Sequence, residues 1–320
     1  MVRHGSPQGA FLNYTPLLSI VTNIDREHLD FYKNLGNIKK SFLAFFKKTR
    51  RGGALVLNKD NKILFSLKPV IEKIAKRNQL KVIWYGIRVN PLLHQRISAA
   101  IKIPGKHNIS NALAAFRAAM FVGVSQKTAL KAIGAYRGSW RRMEYRGTWH
   151  MAHGIWHIYD DYAHHPTEIK ATLQAFREWF DSAHHKKFPK RKIICVFQPH
   201  QAERLKLLFK EFQTAFDDAD ITLVLPIYRV PGRDPSTDPG QVTYKNFTSE
   251  KLVRAIQKKQ PKKLIFYLDN PKNLKKALNM LISSIPLPRK SASGQRKSAV
   301  LVMMGAGDIV NYTDALLKVH

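Results

Sequence analysis

The sequence predicts an α/β protein built as two successive domains, each a mostly parallel sheet covered by helices. Three observations carry this reading. Short apolar runs alternate with segments of helical periodicity, the pattern of parallel strands joined by helical crossovers. The composition changes near Arg137–Arg142, where one β–α series ends and another begins. A chain of 320 residues, 44% hydrophobic and 10% aromatic, suits two packed cores better than one. The expected domains are 1–138 and 139–320.

In the first domain, LLSIVTNI at 17–24 is an apolar run ending in polar residues, as a buried parallel strand does. IKKSFLAFFKK at 38–48 has helical spacing, and Gly52 and Gly53 break the chain before a second strand, ALVLN. VIEKIAKR at 70–77 reads as a helix, KVIWYGI at 81–87 as a strand and RISAAIKIP at 96–104 as another strand. A helix follows from about Asn108 to Phe121, its many alanines permitting close packing. Ser125 is placed to cap the next helix, because its hydroxyl can accept from the first turn.

In the second domain, GIWHIYDDY is a strand, and Pro166 opens a helix at a position where no N–H is needed. KIICVFQ, DITLVLPIY, KLIFYL and SAVLVMMGAG are four further strands. Helical patterns at about 203–216, 249–258, 271–283 and 307–317 follow or separate them.

Composition excludes several classes. The single cysteine, Cys195, rules out an intramolecular disulfide and sits in the apolar run IICVF, where a buried inert thiol is expected. No apolar run approaches the roughly 18 residues needed to span a bilayer, and MVRHGSPQGAF has no apolar signal core. A cytoplasmic protein with no membrane partner is expected. The formal charge of +32 favours anionic partners. Its densest clusters, HHKKFPKRK at 184–192, KKQPKK at 258–263 and PRKSASGQRK at 288–297, fall between apolar segments, and the lone Phe188 among them does not make the repeated aromatic pattern of a base-stacking surface. They read as a solvated surface whose binding to nucleic acid is weak and non-specific.

Three stretches concentrate chemistry: PGKHNISNALAA at 104–115, DDYAHHPTEIKATLQAF at 160–176 and FQPHQAERLKLLF at 197–209. Each sets ligand-grade side chains against the start of an apolar helix, where unpaired N–H groups and the positive dipole end suit a nucleotide or carboxylate. His28, in TNIDREHLD, stands beyond a strand with Asp25 and Asp30 around it, and SWRRMEYRG offers the adjacent cations Arg141 and Arg142. His164 and His165 do not read as a zinc site, since adjacent side chains diverge and no third ligand follows at a suitable spacing.

Together with VTNIDREHLDFY at 21–32 and MGAGDI at 304–309, these stretches resemble the Mur ligase family, from about Phe11 to the C-terminus. The greatest likeness is to the branch that joins L-alanine to UDP-N-acetylmuramate in peptidoglycan precursor synthesis. FQPH favours that branch over the murein-peptide-recycling ligases, which share the DD-[YF]-A-HHP stretch and stand as the nearest alternative within the family. The resemblance implies an incomplete P-loop-type central domain followed by a Rossmann-like C-terminal domain, with ATP and Mg²⁺ as cofactors. It places His107 and Asn108 on the adenine side of ATP, Arg141 and Arg142 on its phosphates, and Asp161 in nucleotide contact. Asp161, Tyr162 and His164 would form the catalytic group, with His164, His200, Gln201 and Arg204 around the amino acid and His28 on the metal. His165, Pro166 and Thr167 would shape the turn into the helix.

The chain departs from the family pattern in places. Glu27 stands where an aspartate usually precedes the metal histidine, and Gln201 stands where an arginine usually helps to hold the amino-acid carboxylate. Losing one of two carboxylate-binding cations should weaken or retune amino-acid selection. No Gly-Lys-[Ser/Thr] phosphate loop occurs, and neither GRDPSTDPG nor MGAGDI can replace it. MVRHGSPQGA lacks the acidic residue expected to join the histidine at Mg²⁺. The expectation is a truncated, frame-shifted or split-gene portion of the ligase, inactive alone, with a separate N-terminal polypeptide as its partner. The rivals are a murein-peptide-recycling ligase fragment and, from another class, a non-catalytic or nucleic-acid-associated basic protein on a decayed ligase scaffold.

Overall fold

The computed structural model describes residues 9–151, 154–181, 192–229, 247–284 and 298–318. The basic stretch at 288–297, most of that at 184–192, and GRDPSTDPG at 232–240 lie outside the described residues. The chain divides into two compact units, Met1–Arg137 and Gly138–His320.

The first unit holds strands β1 (Leu18–Val21), β2 (Ala54–Asn58) and β3 (Lys81–Tyr85), all parallel, in the order β1-β2-β3. Helices cover both faces, so residues 54–57 of central β2 are wholly buried. Leu55 and Leu57 pack with Phe46 of helix Leu35–Lys48 and with Ile71 and Ile74 of helix Lys68–Asn78. Val56 faces the other way, toward Leu93, Ile97, Leu113 and Phe116. Gly53 is required before β2, because a Cβ there would overlap the Leu17 carbonyl.

RISAAIKIP is not a strand. Residues 96–100 finish the helix Pro91–Ala100, and the rest is irregular up to Gly105. Asn90 caps that helix by accepting from Leu93 N at 3.0 Å, and Pro91 sits at the position where a missing N–H costs nothing. Leu93 and Ile97, four apart, face the core, so the isoleucines that read as β follow a helical period. Ser125 caps helix Gln126–Ala135 by accepting from Thr128 N, as its sequence position predicts.

The second unit contains β4 (Glu144–Met151), β5 (Gly154–Asp161), β6 (Ile193–Phe197), β7 (Ile221–Val224), β8 (Leu264–Tyr267) and β9 (Ser298–Met304). Their spatial order is β4-β5-β9-β6-β7-β8. All neighbours are parallel except β4, which runs antiparallel to β5 and is not expected from the sequence. Trp149 on β4 lies opposite Trp156 on β5, and both are buried with Ile158, Ile194, Leu223 and Met303. The helical pattern at 203–216 resolves into Ala202–Leu207 and Phe209–Phe212 followed by turns. Cys195 is wholly buried in β6, and burial pushes its thiol well above the ordinary range, as expected of an inert group. No helix among the described residues is long and apolar enough to cross a membrane. β5, β6 and β9 run side by side in one direction, so their C-terminal ends open onto the same edge.

Candidate functional site

In the first unit a cavity of about 280 Å³ opens where β1, β2 and β3 end and helix Lys106–Phe121 begins. Open α/β sheets bind ligands at this position. Thr22 and Asn23 follow β1, Asn58 ends β2, and His107 and Lys106 reach the cavity from the first helical turn. Asn58 Nδ2 donates to Thr22 O at 2.9 Å, and Asp60 accepts from Ile87 N at 2.7 Å, fixing the rim. Gly105 enters the helix with φ 104°, a conformation natural to glycine. Asn108 donates its Nδ2 to Pro104 O at 2.7 Å, which ties the turn down beside His107.

His28 is exposed, has φ 51°, and precedes the single-turn helix Leu29–Tyr32; it does not line this cavity. The Asp30 side chain is outside the described residues. Among the described residues no group of three or more His, Cys, Asp and Glu is placed to hold a metal ion.

In the second unit the predicted residues of DDYAHHPTE and FQPHQAER come together at the ends of β5 and β6. Asp161 is buried, its two oxygens accepting from Met143 N at 2.9 Å and Ala163 N at 2.8 Å. Burial raises its carboxyl to about 6, against the lowering effect of those two N–H donors. Asp160 points elsewhere, accepting from Thr313 Oγ1 at 2.6 Å and pairing with Arg146, which also meets Asp314 at 2.7 Å.

A chain of side chains runs around the site. The Arg141 guanidinium lies over the Tyr162 ring at 5.1 Å, and Tyr162 meets His164 edge-on at 5.4 Å. His164 approaches His200 at 5.7 Å between ring centroids, and His200 stacks on Tyr228 at 5.6 Å. Arg204 Nη1 donates to His200 at both Nδ1 (3.1 Å) and the backbone oxygen (3.0 Å). Gln201 adopts φ 68° and donates its N–H to Tyr228 O at 3.2 Å, holding that ring in place.

The two arginines part company. Arg141 is 3% exposed, and its guanidinium donates to the carbonyls of Gly305 and Gly307, clamping the loop after β9. Burial lowers its pKa, opposed by the nearby Asp160, Tyr162 and Asp161. Arg142 is 49% exposed at the side chain and faces Glu168 at 3.4 Å. The clamped loop admits no larger residue: a Cβ at Gly305 would come 2.8 Å from Gln198 O, and one at Gly307 would overlap Tyr228.

His28, His107 and Asn108 belong to the first unit. Sequence reasoning missed Glu168 and Tyr228. Glu168 stands three residues after His165, the spacing of a helix capping box, and that signal could have found it. Tyr228 follows a buried strand at no diagnostic spacing.

Residues 1–119 match the Mur ligase middle domain, and residues 141–307 match the Mur ligase glutamate ligase domain. The chain belongs to the Mur ligase family. A UDP-N-acetylmuramate–L-alanine ligase from Sulfurihydrogenibium sp. is 33% identical to it over 319 residues. That match takes in 97% of this chain and 62% of the relative, so the chain spans less than two thirds of the relative's length. Among solved structures, a UDP-N-acetylmuramate–alanine ligase from Thermotoga maritima shares the fold with a TM-score of 0.61 at 19% identity, covering 96% of this chain and 60% of that one. A folylpolyglutamate synthase from Mycobacterium tuberculosis, complexed with ADP, has a TM-score of 0.60 at 13% identity, covering 95% of this chain and 63% of that one.

Proposed function

We propose that this chain is the nucleotide- and amino-acid-handling part of an ATP-dependent ligase that joins L-alanine to UDP-N-acetylmuramate. The observation that carries the reading is the cluster at the ends of β5 and β6, where Tyr162, His164, His200 and Arg204 surround one another. It is supported by the similarity to relatives that bear this activity in their names.

In such a reaction ATP converts the sugar carboxylate to an acyl phosphate, the amine of L-alanine attacks it, and the tetrahedral intermediate collapses with loss of phosphate. His107 hydrogen-bonds the adenine from the wall of the first-unit cavity, and Asn108 keeps the turn that presents it. Arg142, the more exposed arginine, pairs with phosphate oxygens, while Arg141 holds the loop beneath. Asp161 orders the backbone at Met143 and Ala163 through its two accepted bonds. Arg204, held against His200, offers the cation for the amino-acid carboxylate, with Gln201 as a neutral neighbour.

The described residues alone do not make a Mg²⁺ site. His28 offers one exposed imidazole, no metal-holding group of three His, Cys, Asp or Glu forms among the described residues, and Mg²⁺ prefers oxygen ligands. The phosphate cradle has to come from outside these residues, since no Gly-Lys-[Ser/Thr] occurs among them. The reading calls for that loop either on an adjoining segment of a longer chain or on a separate polypeptide.

The test combines binding with turnover. Calorimetry should show that the chain binds ATP and prefers L-alanine over D-alanine. With ATP, Mg²⁺, UDP-N-acetylmuramate and L-alanine all present, it should release no phosphate in sustained fashion. Turnover near about 1 s⁻¹, ordinary for enzymes, would overturn the incomplete-ligase reading. Failure to bind either ligand would overturn the ligase reading itself.

A further inference from the structure

The first-unit cavity carries features that draw phosphate. Helix Lys106–Phe121 begins at its wall with no acidic residue in the first turn and no side-chain cap, and Lys106 and His107 line it. The positive end of a helix dipole and a lysine together attract an anion. One carboxylate opposes them. Among the described residues lining the cavity, Asp60 is the one acid. Acids are scarce in the first unit: the others are Asp25, Glu27 and Asp30 just after β1, and Glu72, which pairs with Lys68 at 3.5 Å.

Asp60 is fixed to the rim from several sides. Its N–H donates to Asn58 Oδ1 at 2.9 Å, an Asx turn, and the preceding Lys59 N donates to Tyr85 O at 2.7 Å. Its Oδ2 accepts from Ile87 N at 2.7 Å. Gly86 packs so close beneath the carboxyl that a Cβ there would lie 2.8 Å from Oδ1. Asn58 and Asn61 tie the same turn to the end of β1 through Thr22 O and the Ile24 backbone. The charge reaches inward as well: burial pushes the Tyr85 hydroxyl up to about 12, against the lowering effect of Ser110, and Asp60 adds to the rise.

The turn itself has no need of a charge. An asparagine supplies the same acceptor, and Asn58, Asn61 and Asn90 do so at neighbouring turns. We propose that Asp60 is a specificity-determining residue, whose fixed negative charge turns phosphate away and leaves the cavity to the uncharged nucleoside end of a nucleotide. The proposal rests on the ligase reading, in which this cavity takes adenine, and deepens it by setting which end of the nucleotide enters. Repulsion scales with the charge of the ligand, so a polyphosphate meets it strongly and a neutral nucleoside does not.

The test follows the backbone amide NMR signals of Ile87 and Ser110, which line the cavity, in the full chain at about 0.15 M salt, where the basic surface is screened. Two probes are titrated: adenosine, which is neutral, and tripolyphosphate, which is all charge. In the native chain these signals should move with adenosine and stay in place with tripolyphosphate. Asp60→Asn keeps the volume and the acceptor for Ile87 but loses the charge. At these amides it should bind tripolyphosphate at least about tenfold more tightly, with adenosine affinity changed by less than about threefold. Asp60→Glu keeps the charge and should exclude tripolyphosphate as the native chain does, a distinction that a purely structural Asp60 would not make. Asp60→Ser, also neutral, carries the same expectation as Asp60→Asn and decides the matter if the amide unfolds the turn. Tripolyphosphate binding in the native cavity, no gain in the neutral variants, or loss of adenosine binding in Asp60→Asn overturns the proposal. No response to adenosine in the native chain overturns the adenine reading instead, and the tripolyphosphate titrations still judge Asp60.

Discussion

Replacing Arg141 and Arg142 one at a time by methionine, similar in length but uncharged, should produce sharply different losses of stability. Arg141→Met removes two donors from the carbonyls of Gly305 and Gly307 and the cation above the Tyr162 ring. Hydrogen bonds to a charged group contribute about 1.5–3 kcal/mol each. The guanidinium is almost wholly buried, however, and removing it also relieves its desolvation penalty. The net loss expected is roughly 2 kcal/mol, or a fall of about 4–8 °C in the melting temperature of a unit this size. Arg142→Met removes one exposed ion pair with Glu168, which contributes at most about 1 kcal/mol. Tryptophan fluorescence is the suitable probe, since Trp140, Trp149, Trp156 and Trp179 all lie in the second unit and only Trp84 in the first. Nucleotide affinity gives the converse readout: Arg142→Met should weaken ATP binding more than Arg141→Met does at a temperature where both are folded. Equal destabilisation by the two variants, or a shift below about 1 °C for Arg141→Met, would refute the division of labour.

Three further expectations follow from other residues. Gln201→Arg should tighten L-alanine binding to the chain in calorimetry, since a charge-assisted bond to the carboxylate is regained; unchanged or weaker affinity would mean that the pocket accepts something else. The Asp161 carboxyl should titrate at about 6 in carbon-detected NMR, and a midpoint near its ordinary 3.8 would sink the burial argument. Its raised value means that the folded chain holds a proton there which the unfolded chain gives up. Its contribution to stability is therefore fully present below about pH 4 and is lost as the pH rises through about 6. Fluorescence anisotropy with two unrelated oligonucleotides should show binding that is sequence-independent and fades at physiological salt. Tight, selective binding there would instead favour the basic protein on a decayed scaffold.

Most strands were legible because they are short apolar runs with punctuated ends, and β6 and β9 needed nothing more. RISAAIKIP failed because Ile97, Ile101 and Ile103 look like β residues until Asn90 and Pro91 are weighed as a helix start. β4 failed for another reason. EYRGTWHM has a glycine and charged residues, and becomes a strand through Trp149 meeting Trp156 across the sheet. The candidate site was legible as motifs, since polar side chains massed at helix starts are uncommon. What could not be read was the difference between Arg141 and Arg142. Chemically the two are identical in sequence, and only the left-handed φ of 51° at Arg141, beside the buried glycine loop, gives each its own surroundings. Tyr228 stayed hidden because its role is a stack across two loops.

The position of β9 bears on how the chain is made. Among the described residues β9 is the last strand in chain order, yet it lies between β5 and β6 in the middle of the second sheet, with residues 300–304 wholly buried. During synthesis the hairpin of β4 with β5 and the sheet of β6, β7 and β8 must therefore wait as separate pieces, each with an open apolar edge. They can join only after Met304 has cleared the ribosome. Such late, long-range closure is slow and leaves the nascent chain open to aggregation. A premature stop anywhere before Ser298 would release two half-sheets that can never meet. Substitutions in β9 should therefore lower the yield of folded chain as well as disturb the loop that Arg141 clamps.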